Sequence, residues 1–378
     1  MVEWKNFVSV SDVLYGYPFE SSLFSEDSNN IPLIRIRDVK PAKASTYYSG
    51  QIIEDYRIRK GDILVGMDGE FNLGRWNDRD GLLNQRVLKM KGKDGICLDG
   101  YLFHYMGPVF KKIEKETAGG SVKHLSAKAI NQITIPVPSL NEQEVIVDIL
   151  DTFTSSIDNL KQQIAQRRKQ YEYYRCCLFS TEKWDEIKIG ELTKVFSCPR
   201  VFKDQWQDSG VPFWRSSDIM SYHNGVINPR GEVFISQSLY DELSSKSDKI
   251  KEGDILVTGG GSIGIPYLKR DNNPLFVKDA DLICIQKCSS IVPKYLYHYF
   301  LSTDFKLYLK KITHDATIAH YTINQIKDTP IPLPPISEQQ RIVDILDKFE
   351  TSIQNLEAQL SQREKQYEYY RNKLLTFE

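Results

Sequence analysis

The sequence has no long hydrophobic run and no excess of charge of either sign. No apolar stretch approaches the ~18 residues of a transmembrane helix, and the N-terminal MVEWKNFVSV lacks the basic start and apolar core of a signal peptide. Its 49 Lys and Arg residues nearly balance 50 Asp and Glu residues, which leaves a formal net charge of −1. We therefore expect a cytoplasmic protein with no membrane association, whose nucleic-acid-binding surfaces, if present, are local basic patches.

Cysteine and recognisable catalytic motifs are also scarce. The six cysteines form neither a disulfide framework nor a paired CxxC motif, which predicts reduced thiols and no metal site. A GxGxxG pattern at Gly259 to Gly264 is followed by a proline-broken segment instead of the helix that would hold a pyrophosphate. No combination of nucleophile, base and orienting group is evident, so the sequence predicts no catalytic residues and argues against an enzyme.

What the sequence contains instead is a long internal repeat. The segment from Ile146 to Arg175 returns 196 residues later as Ile342 to Arg371, with roughly two-thirds of its positions identical. Shorter matches precede each copy, among them the pentapeptide GDILV, which occurs twice. The remaining sequence between the copies is far less alike. The duplication therefore predicts one repeated frame that carries two different domains.

Each copy of the repeat is predicted to form a long helix. Apolar and aromatic residues recur in alternating steps of four and three, which is typical of a coiled-coil seam. At ~1.5 Å per residue, ~33 residues would form a rod of roughly 50 Å. Prolines followed by capping boxes, Asn141 with Glu144 and Ser337 with Gln340, predict where the helices begin. The residues expected to pair the two helices are Ile146, Leu150, Phe153, Ile157, Leu160, Ile164, Ile342, Leu346, Phe349, Ile353, Leu356 and Leu360.

Two polar residues recur at equivalent places in apolar surroundings. Arg167 and Arg363 occupy the same position of the seam, which predicts a role in register or in a polar contact. His104 and His298 occupy equivalent positions on apolar segments, and we interpret both as hydrogen-bonded structural histidines.

The predicted fold class is α+β. Short β-branched runs bounded by Gly, Asp and Asn predict strands, so two mixed, β-rich domains are expected. Long helices separate and follow them and pack as an antiparallel coiled coil, which gives a pseudo-twofold internal repeat. We expect the first domain at 1–138, the first long helix at 139–181, the second domain at 182–334 and the second long helix at 335–378.

Basic and aromatic residues lie in or near Gly- and Ser-rich loops in both domains. Arg and Lys can neutralise phosphates or pair with guanine edges, and such loops can reach into a groove. Taken singly, each charge is better explained as solvated surface, but the recurrence at matching loops favours DNA contact for the group. The candidate DNA-binding residues are Tyr17, Arg35, Arg37, Arg75, Lys123, His124, Trp214, Arg215, Gly260, Ser262, His314 and His320.

The predicted symmetry suggests how the two domains would meet DNA. Like units joined by antiparallel helices would share an approximate twofold axis, as the backbones of a duplex do. Rods of roughly 50 Å would hold the domains far enough apart to reach grooves one helical turn away, ~34 Å. Because the domains differ in sequence, we expect a split, non-palindromic target.

The two helix openings, IPVPSLNEQEVIVDILD and IPLPPISEQQRIVDILD, occur together with GDILV in each domain and GYPF at Gly16 to Phe19. In this combination the chain resembles the specificity subunit of type I restriction-modification systems over essentially its whole length. The resemblance implies two target-recognition domains that each read half of a gapped double-stranded DNA site. It implies helices that act as a spacer and dock two modification (methyltransferase) subunits, with restriction or translocase subunits in the larger complex. It also implies no cofactor in this chain: S-adenosylmethionine would belong to the modification subunits, and ATP and Mg to the restriction subunits.

Two alternative functions fit the sequence less well. A two-domain coiled-coil scaffold would bring proteins together without DNA sequence specificity. A self-sufficient DNA methyltransferase or nuclease would need a cofactor loop and an [ND]PP[YFW] motif, and the sequence has neither.

Overall fold

The computed structural model describes residues 2–117, 123–179, 184–227, 231–313 and 320–377. The chain divides into two compact units. The first unit contains Met1–Lys161 and Ala358–Glu378, and the second contains Gln162–Glu357. Each unit therefore combines one mixed domain with a segment of each long helix.

Strands and helices follow one another in a similar order in the two domains. The strands of the first domain are β1 (Glu3–Asn6), β2 (Ser11–Tyr15), β3 (Phe24–Ser25), β4 (Ile31–Ile34), β5 (Tyr47–Tyr48), β6 (Arg57–Ile58), β7 (Ile63–Gly66), β8 (Leu73–Arg75), β9 (Gly81–Leu83), β10 (Val87–Gly92) and β11 (Thr134–Val137). Its helices are α1 (Phe7–Val10), α2 (Ile36–Val39), α3 (Asp99–Glu116) and α4 (Ala127–Asn131). The first long helix, α5, then spans Leu140–Phe179.

The second domain and its long helix repeat this plan. The strands are β12 (Glu186–Lys188), β13 (Val195–Phe196), β14 (Val211–Trp214), β15 (Phe234–Ile235), β16 (Ile255–Thr258), β17 (Pro266–Leu268), β18 (Phe276–Val277), β19 (Leu282–Ile285) and β20 (Pro330–Pro332). The helices are α6 (Ile189–Leu192), α7 (Ser216–Asn224), α8 (Gln237–Ser245), α9 (Pro293–Phe300), α10 (Thr303–Ile312) and α11 (Ile323–Lys327). The second long helix, α12, spans Ile336–Leu374.

The four-stranded sheets of the two domains have matching topology, whereas the second sheet has five strands in the first domain and three in the second. The first domain contains a four-stranded sheet in the order β2-β10-β7-β8, and the second contains one in the order β13-β19-β16-β17. A second sheet in each domain is built around a parallel pair, β4 with β9 and β14 with β18. The first and last strands of each domain, β1 with β11 and β12 with β20, also pair. The predicted α+β class, with two β-rich domains and long helices, is confirmed.

The repeated GDILV motif supplies the central strand between two cores. Ile63 and Val65 of β7 enter the core cluster that contains α3, whereas Leu64 enters a second cluster around Trp76. The Ile-Leu-Val run of β16 divides between two clusters in the same way. A strand covered on both faces has apolar residues at consecutive positions, which explains why this run does not alternate with polar residues.

A buried glutamine anchors the beginning of each long helix to its domain. The Gln143 amide accepts a hydrogen bond from the Leu98 backbone N–H (2.8 Å) and donates one to the Pro138 carbonyl (2.9 Å). Gln339 makes the equivalent bonds: it accepts from the Val292 N–H (2.8 Å) and donates to the Pro334 carbonyl (2.9 Å). Because buried amides need partners for both oxygen and nitrogen, these bonds explain the repeated glutamine in the two helix openings.

The predicted capping box of the first long helix is wrong by two residues. Helix α5 begins at Leu140, and the Ser139 backbone N–H donates to the Glu142 carboxylate (2.9 Å). Asn141 and Glu144 lie inside the helix. A short polar residue with a glutamate three positions later occurs twice, as Ser139 with Glu142 and as Asn141 with Glu144. The first of these pairs caps the helix.

The predicted box of the second long helix is also wrong. Ser337 and Gln340 lie inside α12, which begins at Ile336. Pro335 precedes the helix, and its carbonyl accepts the Glu338 backbone N–H (2.9 Å). Proline has no side-chain acceptor, so this helix begins without a side-chain cap at that position.

The long helices run antiparallel where they meet in the first unit. Phe153 of α5 stacks on Tyr370 of α12, with ring centroids 5.2 Å apart. Eight residues further along α5, Lys161 lies 3.7 Å from Glu364, which is earlier in α12. The predicted antiparallel pairing is therefore confirmed in this unit.

The second unit has the same antiparallel arrangement. Arg168 of α5 lies 2.6 Å from Glu357 of α12. Further along α5, Tyr174 packs on Phe349, with ring centroids 5.2 Å apart.

The predicted pairing residues differ in burial along each helix. The first two of each series, Ile146 with Leu150 and Ile342 with Leu346, belong to the core of a domain. The other buried members are Ile157, Leu160 and Ile164. The half-buried members are Phe153, Phe349, Ile353, Leu356 and Leu360. Each long helix therefore packs on a domain near its beginning, and further along the same apolar stripe packs on the other long helix.

His104 joins three helices in the first unit. Its buried ring on α3 places Nε2 2.7 Å from Asp151 Oδ1 of α5 and Nδ1 3.0 Å from the Tyr367 hydroxyl of α12. Burial lowers the pKa of His104, and the hydrogen bond to Asp151 only partly offsets that effect. These contacts confirm the interpretation of His104 as a hydrogen-bonded structural histidine.

His298 occupies the equivalent place in the second unit. His298, Asp347 and Glu350 bring three potential metal-ligand atoms within 4.8 Å of one another. Lys294 Nζ lies 2.6 Å from Asp347, and the Tyr171 hydroxyl donates to Glu350 (2.9 Å). Burial acts to raise the pKa of Asp347, but hydrogen bonds from His298 and Lys294 outweigh it and keep that pKa low. Both carboxylates therefore already have partners, and the Lys294 ammonium supplies a positive charge beside them. We interpret the group as a structural contact between helices.

All six cysteines have free thiols. No helix among the described residues combines the length and the apolar character needed to cross a membrane.

Candidate nucleic-acid interface

In each domain a helix begins directly after the first strand of the parallel pair: α2 follows β4, and α7 follows β14. The Arg35 backbone N–H donates to the buried Asp38 carboxylate (2.9 Å) at the beginning of α2. The Arg215 N–H donates to Asp218 (2.7 Å) at the beginning of α7. An aspartate at the third helical position satisfies the N–H of the residue that precedes the helix, which explains the repeated Arg-x-x-Asp pattern. In each domain, this turn places the arginine at the end of the parallel strand that precedes it.

A cavity of about 550 Å³ opens beside the beginning of α2. Its walls come from α2 and the residues after it, from the loop after β7 and from the turn after β9. Most of its lining is basic or carries an amide: Arg35, Ile36, Arg37, Lys40, Pro41, Glu70, Asn72, Asn84, Gln85 and Arg86. Such a concave surface offers donors to phosphates and both donors and acceptors to base edges.

The second domain has a cavity of about 780 Å³ at the corresponding place, beside the beginning of α7. The same three parts of the fold contribute, together with the segment before β14. Hydroxyl and apolar groups are more frequent here: the lining is Lys203, Trp206, Arg215, Ser216, Ser217, Met220, Ser221, Asn224, Val226, Gly260, Gly261, Ser262, Lys278 and Asp281.

Backbone hydrogen bonds tie three loops together at the first cavity. The Met67 N–H donates to the Arg86 carbonyl (2.8 Å), and the Leu125 N–H donates to the Met67 carbonyl (2.7 Å). This brings His124 to the loop after β7, where its Nδ1 lies 2.5 Å from Asp68 Oδ1. Arg86 Nε lies 3.4 Å from the other oxygen of the same carboxylate. The loop after β7 and the segment from Lys123 to Leu125 thus meet here.

The equivalent bonds are present at the second cavity. The Gly259 N–H donates to the Asp281 carbonyl (2.7 Å), and the Tyr321 N–H donates to the Gly259 carbonyl (2.9 Å). His320, which is exposed, lies next to this contact in sequence. Lys278 Nζ lies 2.6 Å from Asp281 Oδ2 within the cavity lining.

Gly259 explains the glycine-rich pattern in this loop. A Cβ atom at this position would lie 2.7 Å from the Ala280 carbonyl oxygen and 2.8 Å from the Tyr321 carbonyl oxygen. The close approach of three backbones therefore requires glycine. Strand β17, beginning at Pro266, follows the loop, so the prediction that no helix follows the GxGxxG pattern is confirmed.

Five sequence-predicted candidates line the cavities. Arg35 and Arg37 line the first, and Arg215, Gly260 and Ser262 line the second. Arg215 is almost fully buried and pairs with the capping carboxylate of its own helix (Nε to Oδ2, 3.0 Å), which gives it a structural contact as well.

Three further candidates lie on loops near the cavities. Lys123 and His124 belong to the segment that joins the loop after β7, and the Lys123 carbonyl accepts the Gly69 N–H (2.9 Å). His320 precedes the equivalent contact in the second domain. His314 falls outside the described residues.

The remaining candidates make contacts within their own units and do not line the cavities. Arg75 pairs with Asp151 of α5 (3.2 Å), which places its charge on the long helix. Trp214 is half-buried and packs edge-on against Tyr267, with centroids 4.7 Å apart. Tyr17 packs on two neighbouring aromatic rings and remains partly exposed.

The cavities also contain polar residues that the sequence did not single out. Asn84 and Gln85 line the first cavity, and Lys203 and Lys278 line the second. Asn84 directly follows β9, and Lys278 directly follows β18. The sequence signal that could have indicated these two residues is a polar side chain immediately after a short apolar strand. Its importance depends on parallel pairing between strands that are distant in sequence.

Comparison with known proteins identifies the family. The type I restriction modification DNA specificity domain matches residues 1–167 and again residues 181–364. A putative type I restriction enzyme specificity subunit of Haemophilus influenzae is 32% identical over 100% of this chain and 96% of its own length. The type I restriction enzyme EcoBI specificity subunit of Escherichia coli is 28% identical over 93% of this chain and 80% of its own length.

Solved structures support the same fold. The type I restriction-modification S subunit from M. genitalium has a TM-score of 0.60 and 16% identity, covering 100% of this chain and 97% of that one. A chain from a study of complex assembly and conformational transition in the type I system has a TM-score of 0.59 and 16% identity, covering 99% and 96%. The fold and the doubled family match define a protein with two copies of the type I restriction modification DNA specificity domain. The chain belongs to the family of type I restriction-modification specificity subunits.

Proposed function

We propose that each domain of this chain reads one half of a gapped, non-palindromic site in double-stranded DNA. The observation that carries the proposal is the pair of cavities, built from the same three parts of the fold but lined by different side chains. Equivalent construction supports the same task in both domains. Different lining chemistry supports two different half-sites.

The first cavity has the chemistry to distinguish purines. Arginine pairs with guanine O6 and N7 in the major groove, and asparagine or glutamine pairs with adenine N6 and N7. Arg86 and Gln85, which are both exposed, offer these groups from one turn. We assign Lys40 and Lys123 to phosphate contacts, because a single ammonium group neutralises a backbone charge without specifying a base.

We propose that residues 1–138 and 182–334 are the target-recognition domains, and that 139–181 and 335–378 are the spacer. Large apolar side chains remain exposed on both long helices, among them Val145, Tyr173 and Tyr369. Exposed apolar groups on helices that already pack on each other are suited to protein contacts. We assign this surface to two modification subunits, with restriction subunits joining the larger complex.

The proposed role leaves the chemistry to those partners. S-adenosylmethionine would bind in the modification subunits, and ATP and Mg in the restriction subunits. This chain would be non-catalytic and would act in the cytoplasm beside the DNA it selects.

Methylome sequencing tests the proposal. Cells carrying the modification genes with this chain should methylate one bipartite sequence with a fixed gap, and cells without this chain should not. The control is Lys43→Ala, which removes a charge from an exposed residue outside the cavity lining. Cells with this variant should methylate the same sequence as cells with the wild-type chain. Assembly of the complex without any sequence-selective methylation would support a scaffold instead.

Lengthening the helices tests the spacer role separately. One heptad inserted at paired positions of α5 and α12 preserves the seam and adds about 10 Å, roughly three base pairs of duplex. The gap in the methylated sequence should change while both half-sites persist. A heptad in α5 alone puts the seam out of register and should abolish methylation, and an unchanged gap in the double insertion would contradict the spacer role.

A further inference from the structure

We propose that Asp68 is a positioning residue for DNA specificity. It holds the Arg86 guanidinium toward a base edge and disfavours pairing of that cation with phosphate, and Asp281 does the same for Lys278 in the second domain. The inference rests on the proposed DNA-reading function of the two cavities and deepens it.

The geometry of the first domain supports this role. Arg86 Nε lies 3.4 Å from Asp68 Oδ2, and one terminal nitrogen lies 3.3 Å from His124 Nδ1. The Arg86 side chain is 54% exposed and lines the cavity, whereas Asp68 is 22% exposed. A guanidinium has five N–H donors in a fixed plane. A carboxylate at the Nε edge therefore orients the group and leaves terminal donors for guanine O6 and N7.

The backbone of Arg86 is also held in an unusual conformation. Its φ of 70° lies in the left-handed region, which residues other than glycine seldom adopt. Its carbonyl accepts the Met67 N–H, which fixes the turn against the loop that carries Asp68. The turn before Asp281 contains a second non-glycine residue of this kind, Ala280, with a φ of 56°. Such conformations concentrate at functional sites.

The second domain retains the pair but exchanges the residues. Asp281 makes the backbone bond to Gly259 that Arg86 makes to Met67, so an acid stands where the first domain has a cation. Its carboxylate lies 2.6 Å from Lys278, the residue immediately after β18. Each cavity thus has one pair of an aspartate and a basic residue, although the paired residues come from different positions of the fold. This recurrence supports a role for the pair itself.

Charge explains how such a pair favours bases over phosphates. Non-specific binding depends on cations that neutralise phosphates. A phosphate that Arg86 contacts lies close to the Asp68 carboxylate, and these two negative charges repel each other. A base edge is neutral, so Arg86 can contact it with the ion pair intact. The acid therefore weakens non-specific binding more than specific binding.

Salt titrations of the complete complex test the proposal. The full chain with its modification subunits is measured on a duplex carrying the methylated sequence and on a scrambled duplex. Asp68→Asn should tighten binding to the scrambled duplex by about two- to fivefold. It should make the salt slope there steeper by about 1. Affinity for the cognate duplex should not rise, so the ratio of the two affinities falls.

Glu70→Gln is the charge-matched control. Glu70 lines the same cavity and accepts a hydrogen bond from Asn72, and no ion pair involves it among the described residues. Its neutralisation should raise both affinities by a similar factor. Asp68→Glu should restore the wild-type ratio, and Asp68→Asn should have no effect on the ratio when Arg86 is already alanine.

Each outcome decides the matter. Equal changes on both duplexes for Asp68→Asn and Glu70→Gln would reduce the effect to overall charge and overturn the inference. Asp281→Asn gives an independent test in the other domain if Asp68→Asn fails to fold. A wild-type complex that did not distinguish the duplexes would instead contradict the proposed function.

Discussion

The guanidinium carbon of Arg363 lies 5.7 Å from the centre of the Phe153 ring on the other long helix. Arg167 lies over Phe349 at 5.8 Å in the equivalent contact of the second unit. An arginine that covers an aromatic ring can pack its stem in the seam while its charge stays near water. The arginine that recurs in the repeat therefore makes an equivalent contact with an aromatic ring in each unit.

The first prediction tests the seam through its buried leucine. Leu160 is 9% exposed, so Leu160→Asp places a carboxylate in the buried seam and should cost several kcal/mol of unfolding free energy. Leu356→Asp should cost less, because Leu356 is half-buried. Ala165→Asp adds the same carboxylate to an exposed position of α5 and serves as the control. Thermal denaturation in which all three proteins melted like the wild type would contradict the packing of the seam.

The second prediction concerns pH. Burial gives His104 a lower pKa in the folded protein than the ~6.5 of an unfolded histidine. The unfolded state then binds more protons as pH falls through about 6.5, so the stability of the first unit should decrease in that window. His104→Gln should be less stable at pH 7.5, because the bonds to Asp151 and Tyr367 are disturbed, but should lose less further stability between pH 7.5 and pH 5.5. Parallel melting profiles for wild type and variant would show that His104 does not titrate as described.

The third prediction separates phosphate contacts from base contacts in the first cavity. Lys40→Ala should weaken binding about equally on all duplexes and flatten the salt slope by about 1, because its ammonium specifies no base. Gln85→Ala should relax specificity at one position of the half-site by roughly 1 to 3 kcal/mol and leave the salt slope nearly unchanged. Salt titrations of the assembled methyltransferase on single-base-substituted duplexes measure both effects.

Lys43→Ala is the matched control for Lys40. Lys43 is exposed and nearby in sequence but does not line the cavity. It should leave the salt slope close to that of the wild type. If Lys40→Ala and Lys43→Ala behaved alike, or if Gln85→Ala weakened binding to all duplexes equally, the DNA-contacting surface would lie elsewhere on the domain.

Much of the fold could be predicted because it depends on local patterns. The heptad series around Ile157 predicted the long helix, and the Ile63 to Val65 run predicted a strand. The beginning of α5 was predicted two residues late, since Ser139 and Asn141 each have a glutamate three positions later. Local sequence does not distinguish these two registers.

The cavities could be predicted only in part. Glycine-rich loops indicated where the backbone approaches another segment, as Gly259 does. Arg75 has the same local setting but faces Asp151 of the long helix, because strand geometry directs its side chain away from the cavity. Asn84 joins Arg35 only through the parallel pairing of β4 with β9, and no short-range pattern reveals that pairing.

The central claim is that each domain reads its own half of the target, and a domain exchange tests it most directly. Residues 1–138 are replaced by the corresponding domain of a relative with a different known target, while the second domain and both long helices are retained. Methylome sequencing should then show one new half-site, with the other half-site and the gap unchanged. A change in both half-sites, or no change in either, would contradict the account.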